Sequence, residues 1–280
     1  MTAFSAASIP FARGNWKKWA LKSFKRTVPP LLALYFIPQL FACWTVCGLL
    51  DWIRNRPITL RTFDRYFFGN GVPTWLLAPF NLLMDLFTLP YLNRGIYALD
   101  DLPAGYRDEL ERVIRAAGEQ KLVEKMAAKL GNEKRGMMFF KWYGKNVETS
   151  VDMPAYHEKY RYVKTIGVSI FNRRQTTGEH FGPLRITLRA LYNINDVQSE
   201  QIYIQVGDRV HRWKDERLFI FDDTLQHQSK NDSDEVRYCL FIDLLRPSAA
   251  PWLLSAVLAV VRVFTAQVNR VFYQHWTFLK

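Results

Sequence analysis

Cysteine is scarce in this chain, three residues in 280, and none of the three stands in a pattern. Cys43 and Cys47 lie one helical turn apart in an apolar run, and Cys239 lies in a strand-like run. They form neither a metal-type cysteine pair nor a disulfide framework, so a stapled secreted domain is excluded and a reduced, cytoplasmic domain is expected. Acid is also short. The 26 Asp and Glu face 38 Lys and Arg, a formal net charge of +12 that suits an anionic partner such as nucleic acid or an acidic membrane surface. Internal repeats and low-complexity tracts are missing, which excludes repeat arrays.

Aromatic residues and long apolar runs are plentiful by contrast: 9 Trp, 13 Tyr and 20 Phe, with the apolar residues unevenly distributed. That pattern favours an anionic membrane surface as the partner, and no nucleic acid is expected. Residues 31–50, "LLALYFIPQLFACWTVCGLL", carry only Gln39 and Thr45 as polar side chains. A spanning helix needs about 20 mostly apolar residues, so this run is just long enough, with Pro38 as a tolerated kink. The preceding "NWKKWALKSFKR" has the charge of a signal peptide, but the apolar run is too long and no small-residue cleavage site follows. A retained anchor is expected. Arg54, Arg56, Arg61 and Arg65 make the far flank basic as well, so flanking charge gives no orientation.

Residues 72–92, "VPTWLLAPFNLLMDLFTLPYL", contain three prolines and Asp85, a charge that is costly at mid-bilayer. An interfacial lie is favoured over a second crossing. The C-terminal "PWLLSAVLAVVRVFTAQVNRVFYQHWTFLK" has an apolar core too short to span comfortably, punctuated by Arg262, Arg270 and Lys280. It reads either as a surface-lying helix held by anionic headgroups or as a helix packed on the soluble domain.

Between these ends, residues 103–131 read as helical, rich in Glu, Lys, Arg and Ala and closed by Gly131. Six β-branched or aromatic runs follow, "GMMFFKWYGKN", "YVKTIGVSIFN", "LRITLRALYNI", "SEQIYIQVGDRVHRW", "RLFIFDD" and "VRYCLFIDLL", separated by Gly, Asn, Asp and Pro. The Gly207-Asp208 pair marks a tight hairpin. Short strands at this spacing predict a mainly β chain, a double-stranded β-helix or jelly roll, with flanking helices and N-terminal membrane-embedded helices. The expected domains are 1–100, a basic N-terminus with anchor or interfacial helices; 101–247, the jelly roll; and 248–280, an amphipathic membrane-associated helix.

The five histidines are not equivalent. His157 lies in a polar segment and reads as solvated, His211 as an exposed residue of the hairpin, and His275 as interfacial. His180, in "GEHFGPLR", and His227, in "LQHQSKN", each sit at a turn beside a strand. In "FDDTLQHQSKNDSDEVR", His227 stands at the mouth of one strand and Arg237 opens the next, with residues 229–235 reading as a solvated turn. Two neutral imidazoles suit Fe(II) and leave positions open for a chelating 2-oxo acid and dioxygen. The far carboxylate of that acid calls for a buried arginine, whose planar fork binds it bidentately. Arg237 opens an otherwise apolar strand, where burial without an anionic partner would be expensive. A hairpin-like return would aim both residues into one barrel mouth.

In these residues the chain resembles the aspartyl/asparaginyl β-hydroxylases, and within them the membrane-bound lipid A hydroxylase branch. The resemblance is carried by "HFGPLR", by "RWKDERLFIFDDTLQH", by the ten-residue step from His227 to Arg237 and by "YCLFIDLLRP". It implies His180 and His227 as iron ligands, Arg237 as the holder of the 2-oxoglutarate carboxylate, and Arg185 as a residue lining the co-substrate site. Trp213, Asp222 and Asp223 match residues that look structural, the acids binding turn amides, with Asp222 or Asp223 as an iron ligand the lesser alternative. The chain departs from the family pattern in "RITLR", where Thr187 or Arg189 would replace a histidine that contacts 2-oxoglutarate. It has Gly182 where lipid A hydroxylases tend to have an acid, and an ungapped alignment would put Thr176 at the first ligand position.

The resemblance therefore implies an Fe(II)/2-oxoglutarate-dependent dioxygenase that hydroxylates a fatty-acyl chain of lipid A or an ornithine-type lipid. It would act at an anionic membrane surface, the cytoplasmic face of the inner membrane. The alternatives are hydroxylation of Asp or Asn in a peptide or amino-acid substrate, and a non-catalytic membrane-associated jelly roll.

Overall fold

The computed structural model describes residues 16–131, 133–272 and 276–279. His275 and Lys280, given interfacial roles above, lie outside them. The chain divides into two compact units, Met1–Val46 and Cys47–Lys280. The first holds α1 (Trp16–Phe36) and most of α2 (Pro38–Trp52), whose last turn belongs to the second. Pro38 has no N–H to donate, so the apolar run 31–50 divides at Ile37 into two helices, although the Ile37 N–H still donates to the Ala33 carbonyl and its own carbonyl accepts from Phe41, both at 2.9 Å. Among the described residues no helix is long and apolar enough to cross a membrane. The expected N-terminal spanning helix is corrected accordingly: α1 gives its first half to basic residues, and α2 has 15 residues and carries a buried Asp51.

Among its described residues the second unit has twelve strands: β1 (Ile96–Tyr97), β2 (Arg135–Trp142), β3 (Lys145–Asn146), β4 (Val163–Phe171), β5 (Gln175–Thr176), β6 (Thr187–Asn193), β7 (Ile202–Val206), β8 (Arg209–Arg212), β9 (Leu218–Phe221), β10 (His227–Asn231), β11 (Arg237–Leu245) and β12 (Thr277–Phe278). They form one sheet in the order β1-β9-β6-β11-β4-β2-β12, with β3 also on β2, and a second in the order β5-β10-β7-β8. All pairings are antiparallel except β12 with β2. A shared core joins the sheets: Met137, Phe139, Leu191 and Phe241 of the larger meet Ile202, Ile204 and Val206 of the smaller. This is the jelly-roll-like architecture expected.

The other face of the large sheet is covered by helices. Tyr106, Leu110, Val113 and Ala117 of α6 (Ala104–Glu119) recur at helical spacing and are buried. They join Leu122 and Met126 of α7 (Leu122–Leu130), Tyr156 of α8 (Pro154–His157), and Leu254 and Leu258 of α9 (Pro251–Phe272) in a second core. The helix expected over 103–131 is thus two, broken where Lys121 takes φ +50°. Because β4 and β11 are covered on both faces, every one of their residues is buried. Ile166, Val168, Ile170, Leu240 and Ile242 face the helices. Ser169, Arg237, Cys239 and Phe241 alternate with them and face the other sheet.

Residues 72–92 form α4 (Val72–Leu76) and α5 (Ala78–Phe87), which follow α3 (Leu60–Phe68). Their polar side packs inward. Thr74 Oγ1 donates to the Gly182 carbonyl, Asn81 Nδ2 to the Pro183 carbonyl, and Asp85 pairs with Arg185 and Arg246 at 2.7 Å each. Asp85 is therefore not a charge facing lipid. The apolar side is left outside, Leu86 64% and Leu92 74% exposed. Of the two readings of the C-terminal helix, packing on the domain is observed at Leu254 and Leu258, while Trp252, Val263 and Phe264 are exposed.

Candidate active site

The segment read as a solvated turn is instead partly strand. β10 alternates buried His227, Ser229 and Asn231 with half-exposed Gln228 and Lys230, the period of a strand whose inner face is polar. Nor is the step from His227 to Arg237 a hairpin within one sheet. β10 pairs with β7 in the small sheet and β11 with β4 and β6 in the large one, so the two residues face each other across the barrel.

His180 and His227 are brought together by an isolated β-bridge, each backbone N–H donating to the other's carbonyl at 2.9 Å. Their ring centroids are 4.1 Å apart. His180 Nδ1 is 2.8 Å from the Gly178 carbonyl and His227 Nδ1 is 2.8 Å from the Leu225 carbonyl. A carbonyl only accepts, so each Nδ1 carries the proton and each neutral ring keeps an unprotonated Nε2. Burial lowers the pKa of His180, and burial followed by repulsion from His180 lowers that of His227 well below the ordinary value. Both rings are thus held in the form that binds a metal.

Asp223 stands beside them, its Oδ1 3.3 Å from His227 Nε2. Arg189 holds that carboxylate with Nη1 and Nη2 at 3.2 Å, while its Nε donates to Asp243 at 2.7 Å and its guanidinium lies 3.7 Å over Phe241. Burial raises the pKa of Asp243 even with Arg189 beside it. A Cβ at Gly182 would collide with the Asp223 carboxylate, so glycine is required where the resemblance led one to look for an acid. Among the described residues no group of three or more His, Cys, Asp and Glu is arranged to hold a metal. The donor set is two imidazoles with a carboxylate held by arginine nearby, and it fits a metal that keeps several positions for other ligands.

Arg237 is 1% exposed. Its Nη1 donates to Ser229 Oγ at 2.8 Å, and its guanidinium lies 4.3 Å over Phe171 and 5.3 Å over Trp213. No acidic side chain pairs with it among the described residues, and its buried Nε has no partner. Burial lowers its pKa, as desolvation of an unmatched charge must. A cavity of about 440 Å³ joins these groups, lined by His180, His227, Asp223, Arg189, Ser229 and Arg237. Its remaining wall is largely apolar, from Pro73 and Leu77 beside α5 through Leu184 to Val261 and the 69% exposed Phe264 of α9.

Arg185 requires correction. It is buried outside this cavity, its Nη2 paired with Asp51, its Nη1 with Asp85 at 2.7 Å, and its Nε near Asp222 at 3.3 Å and Thr224 Oγ1 at 3.2 Å. Saturated by three carboxylates, it has no fork left for a co-substrate. Thr187 is buried on β6 and does not line the cavity, so of the two candidates in "RITLR" only Arg189 reaches it. Thr176 is exposed on β5, its Oγ1 bonded to the carbonyls of Thr177 and Ser229, and does not line the cavity either. His211 is half-buried rather than exposed, stacked on Phe219 at 4.6 Å. Asp222 binds the turn amide of Thr224 at 2.9 Å, as expected, and Arg54 besides. Ser229 and Asp243 were missed, although the alternation His-x-Ser-x-Asn in β10 would have revealed the first.

Residues 105–247 match the aspartyl/asparaginyl β-hydroxylase family. The ornithine lipid ester-linked acyl 2-hydroxylase of Rhizobium tropici is 28% identical over 160 residues, 54% of this chain and 57% of that protein, so the chain spans little more than half that relative's length. Among solved structures, a salicylate 1,2-dioxygenase from Pseudaminobacter salicylatoxidans aligns at TM-score 0.29 and 9% identity over 51% of this chain and 34% of its own. The Cnp3 cupin domain of Schizosaccharomyces pombe aligns at TM-score 0.25 and 14% identity over 29% and 52%. Neither likeness bears on chemistry.

Proposed function

The chain belongs to the aspartyl/asparaginyl β-hydroxylase family, and from that premise we propose that it is an Fe(II)- and 2-oxoglutarate-dependent dioxygenase that hydroxylates an acyl chain of a membrane lipid. One observation carries the reading: a buried arginine without a carboxylate, Arg237, lines the same cavity as two imidazoles with unprotonated Nε2 atoms. An unmatched buried cation costs several kcal/mol, roughly 3–5 when a partner is removed, and a ligand carboxylate offsets that cost.

His180 and His227 would hold the iron through Nε2, with their Nδ1–H groups bonded to the Gly178 and Leu225 carbonyls to fix ring orientation. Bound iron would couple oxidative decarboxylation of 2-oxoglutarate by dioxygen to insertion of one oxygen atom into a substrate C–H bond. Arg237 would take the far carboxylate of 2-oxoglutarate, with Ser229 holding its Nη1 in line. Arg189 restrains the Asp223 carboxylate near His227, which keeps that oxygen available to a water or substrate group in the cavity. Leu77, Leu184, Val261 and Phe264 supply the apolar wall that suits an acyl chain and excludes water.

The relative's printed activity, on the acyl group of a lipid, supports this substrate class. The helices around the cavity support it too. Leu83, Leu86, Leu89 and Leu92 in or just after α5 and Trp252, Val263 and Phe264 of α9 are exposed, while Asn81 and Asp85 turn inward. Such an inverted segment suits a protein resting on a lipid surface rather than spanning it. We place that surface at the cytoplasmic leaflet, where the free thiols of Cys43, Cys47 and Cys239 stay reduced.

The purified chain with Fe(II), 2-oxoglutarate and vesicles of bacterial lipid should form succinate together with an acyl chain carrying one added oxygen by mass spectrometry. Absence of both products would overturn the proposal. Oxygen found on a peptide and not on lipid would move the same chemistry to the Asp/Asn reading.

A further inference from the structure

A second cavity, of about 540 Å³, shares no lining residue with the first. Arg54, Arg56, Arg94 and Arg209 line it against one acid, Asp208. Four guanidinium groups around one concavity repel one another unless anions answer them. Two are answered within the protein: Arg54 Nη2 donates to Asp222 at 2.7 Å, and Arg94 Nη1 donates to Asp101. Arg56 and Arg209 have no acidic partner among the described residues. The other terminal nitrogen of Arg54, Nη1, faces Asp51 Oδ1 at 3.5 Å, so Arg54 is held by two carboxylates.

The concavity is built by the chain itself. The β7–β8 turn closes so tightly on the backbone of Arg56 that a Cβ at Gly207, where φ is +58°, would meet the Arg56 carbonyl at 2.5 Å. Only glycine allows that approach, and it sets Arg56 and Arg209 on one rim. Asp222, fully buried, holds Arg54 from behind, so one guanidinium is fixed before any ligand arrives. The floor is apolar, made of Ile96, Val206, Phe219 and Leu225.

We propose that this cavity is a binding site for the phosphate group of a phosphate-bearing ligand, received by Arg56 and Arg209 with the positive charge of Arg54 behind them. Guanidinium forks match phosphate oxygens bidentately, and the apolar floor accommodates the organic part of the ligand. The volume is that of an ordinary small-molecule site and exceeds what a bare ion fills. The site stands apart from the proposed iron chemistry but touches the same segment. Leu225 lines the cavity with its side chain and accepts from His227 Nδ1 with its carbonyl, so occupancy would be felt at the histidine. A free phosphate ester and a phospholipid headgroup present the same group, and experiment separates them.

The test titrates the full chain with sn-glycerol 3-phosphate and with inorganic phosphate by calorimetry. In parallel it compares flotation with vesicles bearing phosphatidate against vesicles of equal charge bearing phosphatidylserine. Saturable binding of the soluble phosphates assigns a free ester; preference for phosphatidate alone assigns a headgroup. Arg56→Ala with Arg209→Ala, both exposed positions whose loss leaves the fold intact, should weaken either binding at least about tenfold, and the two Arg→Lys changes should restore part of it. His180→Ala should bind phosphate as the parent does, because His180 does not line this cavity. The proposal is overturned if neither source binds at millimolar concentration, if the double Arg→Ala protein binds like the parent, or if His180→Ala abolishes binding.

Discussion

Arg185 and Arg237 are each 1% exposed, yet their surroundings are opposite. Arg185 lies between the barrel and the helices leading into it, against Asp51, Asp85 and Asp222, with Arg54 and Arg246 tied into the same cluster. Arg237 lies between the two sheets, against the faces of Phe171 and Trp213 and one serine hydroxyl. Where folding alone needs a buried cation, the chain supplies carboxylates to meet it. At Arg237, whose pair we propose a ligand completes, no carboxylate is supplied and aromatic faces stabilise the guanidinium. Burial alone would not have told the two apart; the partner list does.

The comparison breaks most severely at Asp222. Burial alone would raise its pKa, but Arg54, Arg185 and Arg246 outweigh that and hold it far below the carboxylate range. Asp222→Asn strands these guanidinium groups and should cost about 3–5 kcal/mol in urea unfolding. It should also loosen residues 47–52 and α5 from the barrel, measurable as faster amide exchange in both. A cost under about 1 kcal/mol would mean that the cluster is not what fastens them.

Arg237 should behave in the reverse sense. Arg237→Met removes an unmatched charge and keeps the volume, so the unliganded protein should be no less stable and its Tm unchanged or higher. Succinate formation should fall about 100-fold, with the loss in KM for 2-oxoglutarate. A protein that unfolds instead would put Arg237 in the same class as Arg185.

The third contrast is one of pH. His180 and His227 have folded pKa values lowered by burial, so between those values and about 6.5 the unfolded chain binds protons that the folded chain refuses. Stability of the metal-free protein should therefore be complete above that pH and decline as pH falls below it, by at most about 1.4 kcal/mol per pH unit for each histidine. The replacement of both by Gln should flatten this slope. The Asp222 cluster contributes nothing in that window, since its carboxylate stays ionised throughout and loses its contribution only at far lower pH. A slope unchanged by the double replacement would place the titrating groups elsewhere.

What could be read from the sequence follows the same division. The strands of the barrel were legible because β4, β6, β9 and β11 are runs of β-branched and aromatic residues, buried on both faces or nearly so. β10 was not, because its inner positions are polar, His227 and Ser229 lining the cavity and Asn231 bonding the carbonyls of Phe171, Asn172 and Glu235, and a polar alternation resembles a turn. His180, His227 and Arg237, which line one cavity, could be named because the proposed chemistry calls for those residue types. Arg185 was misassigned because its partners Asp51, Asp85 and Asp222 lie 134, 100 and 37 residues away in sequence, and local pattern cannot see them. The same blindness left Asp85 a stray acid within residues 72–92, when it is the part that turns inward.

The finest form of the contrast lies in two hydroxyls. Thr224 Oγ1 accepts from Arg185 Nε at 3.2 Å and is 2.6 Å from Asp222 Oδ1, to which it donates. Ser229 Oγ accepts from Arg237 Nη1 at 2.8 Å, with no carboxylate behind it. Each removal deletes hydrogen bonds of ordinary strength, about 1 kcal/mol apiece. Thr224→Val should register that loss as unfolding free energy, because both of its partners are already satisfied as folded-state ions. Ser229→Ala should register little in unfolding and instead raise the KM for 2-oxoglutarate a few-fold at constant kcat, because the hydroxyl aims a guanidinium whose partner arrives with the ligand. Loss of stability on Ser229→Ala with KM unchanged would show that the serine serves the fold, and would leave Arg237 to be positioned by Phe171 and Trp213 alone.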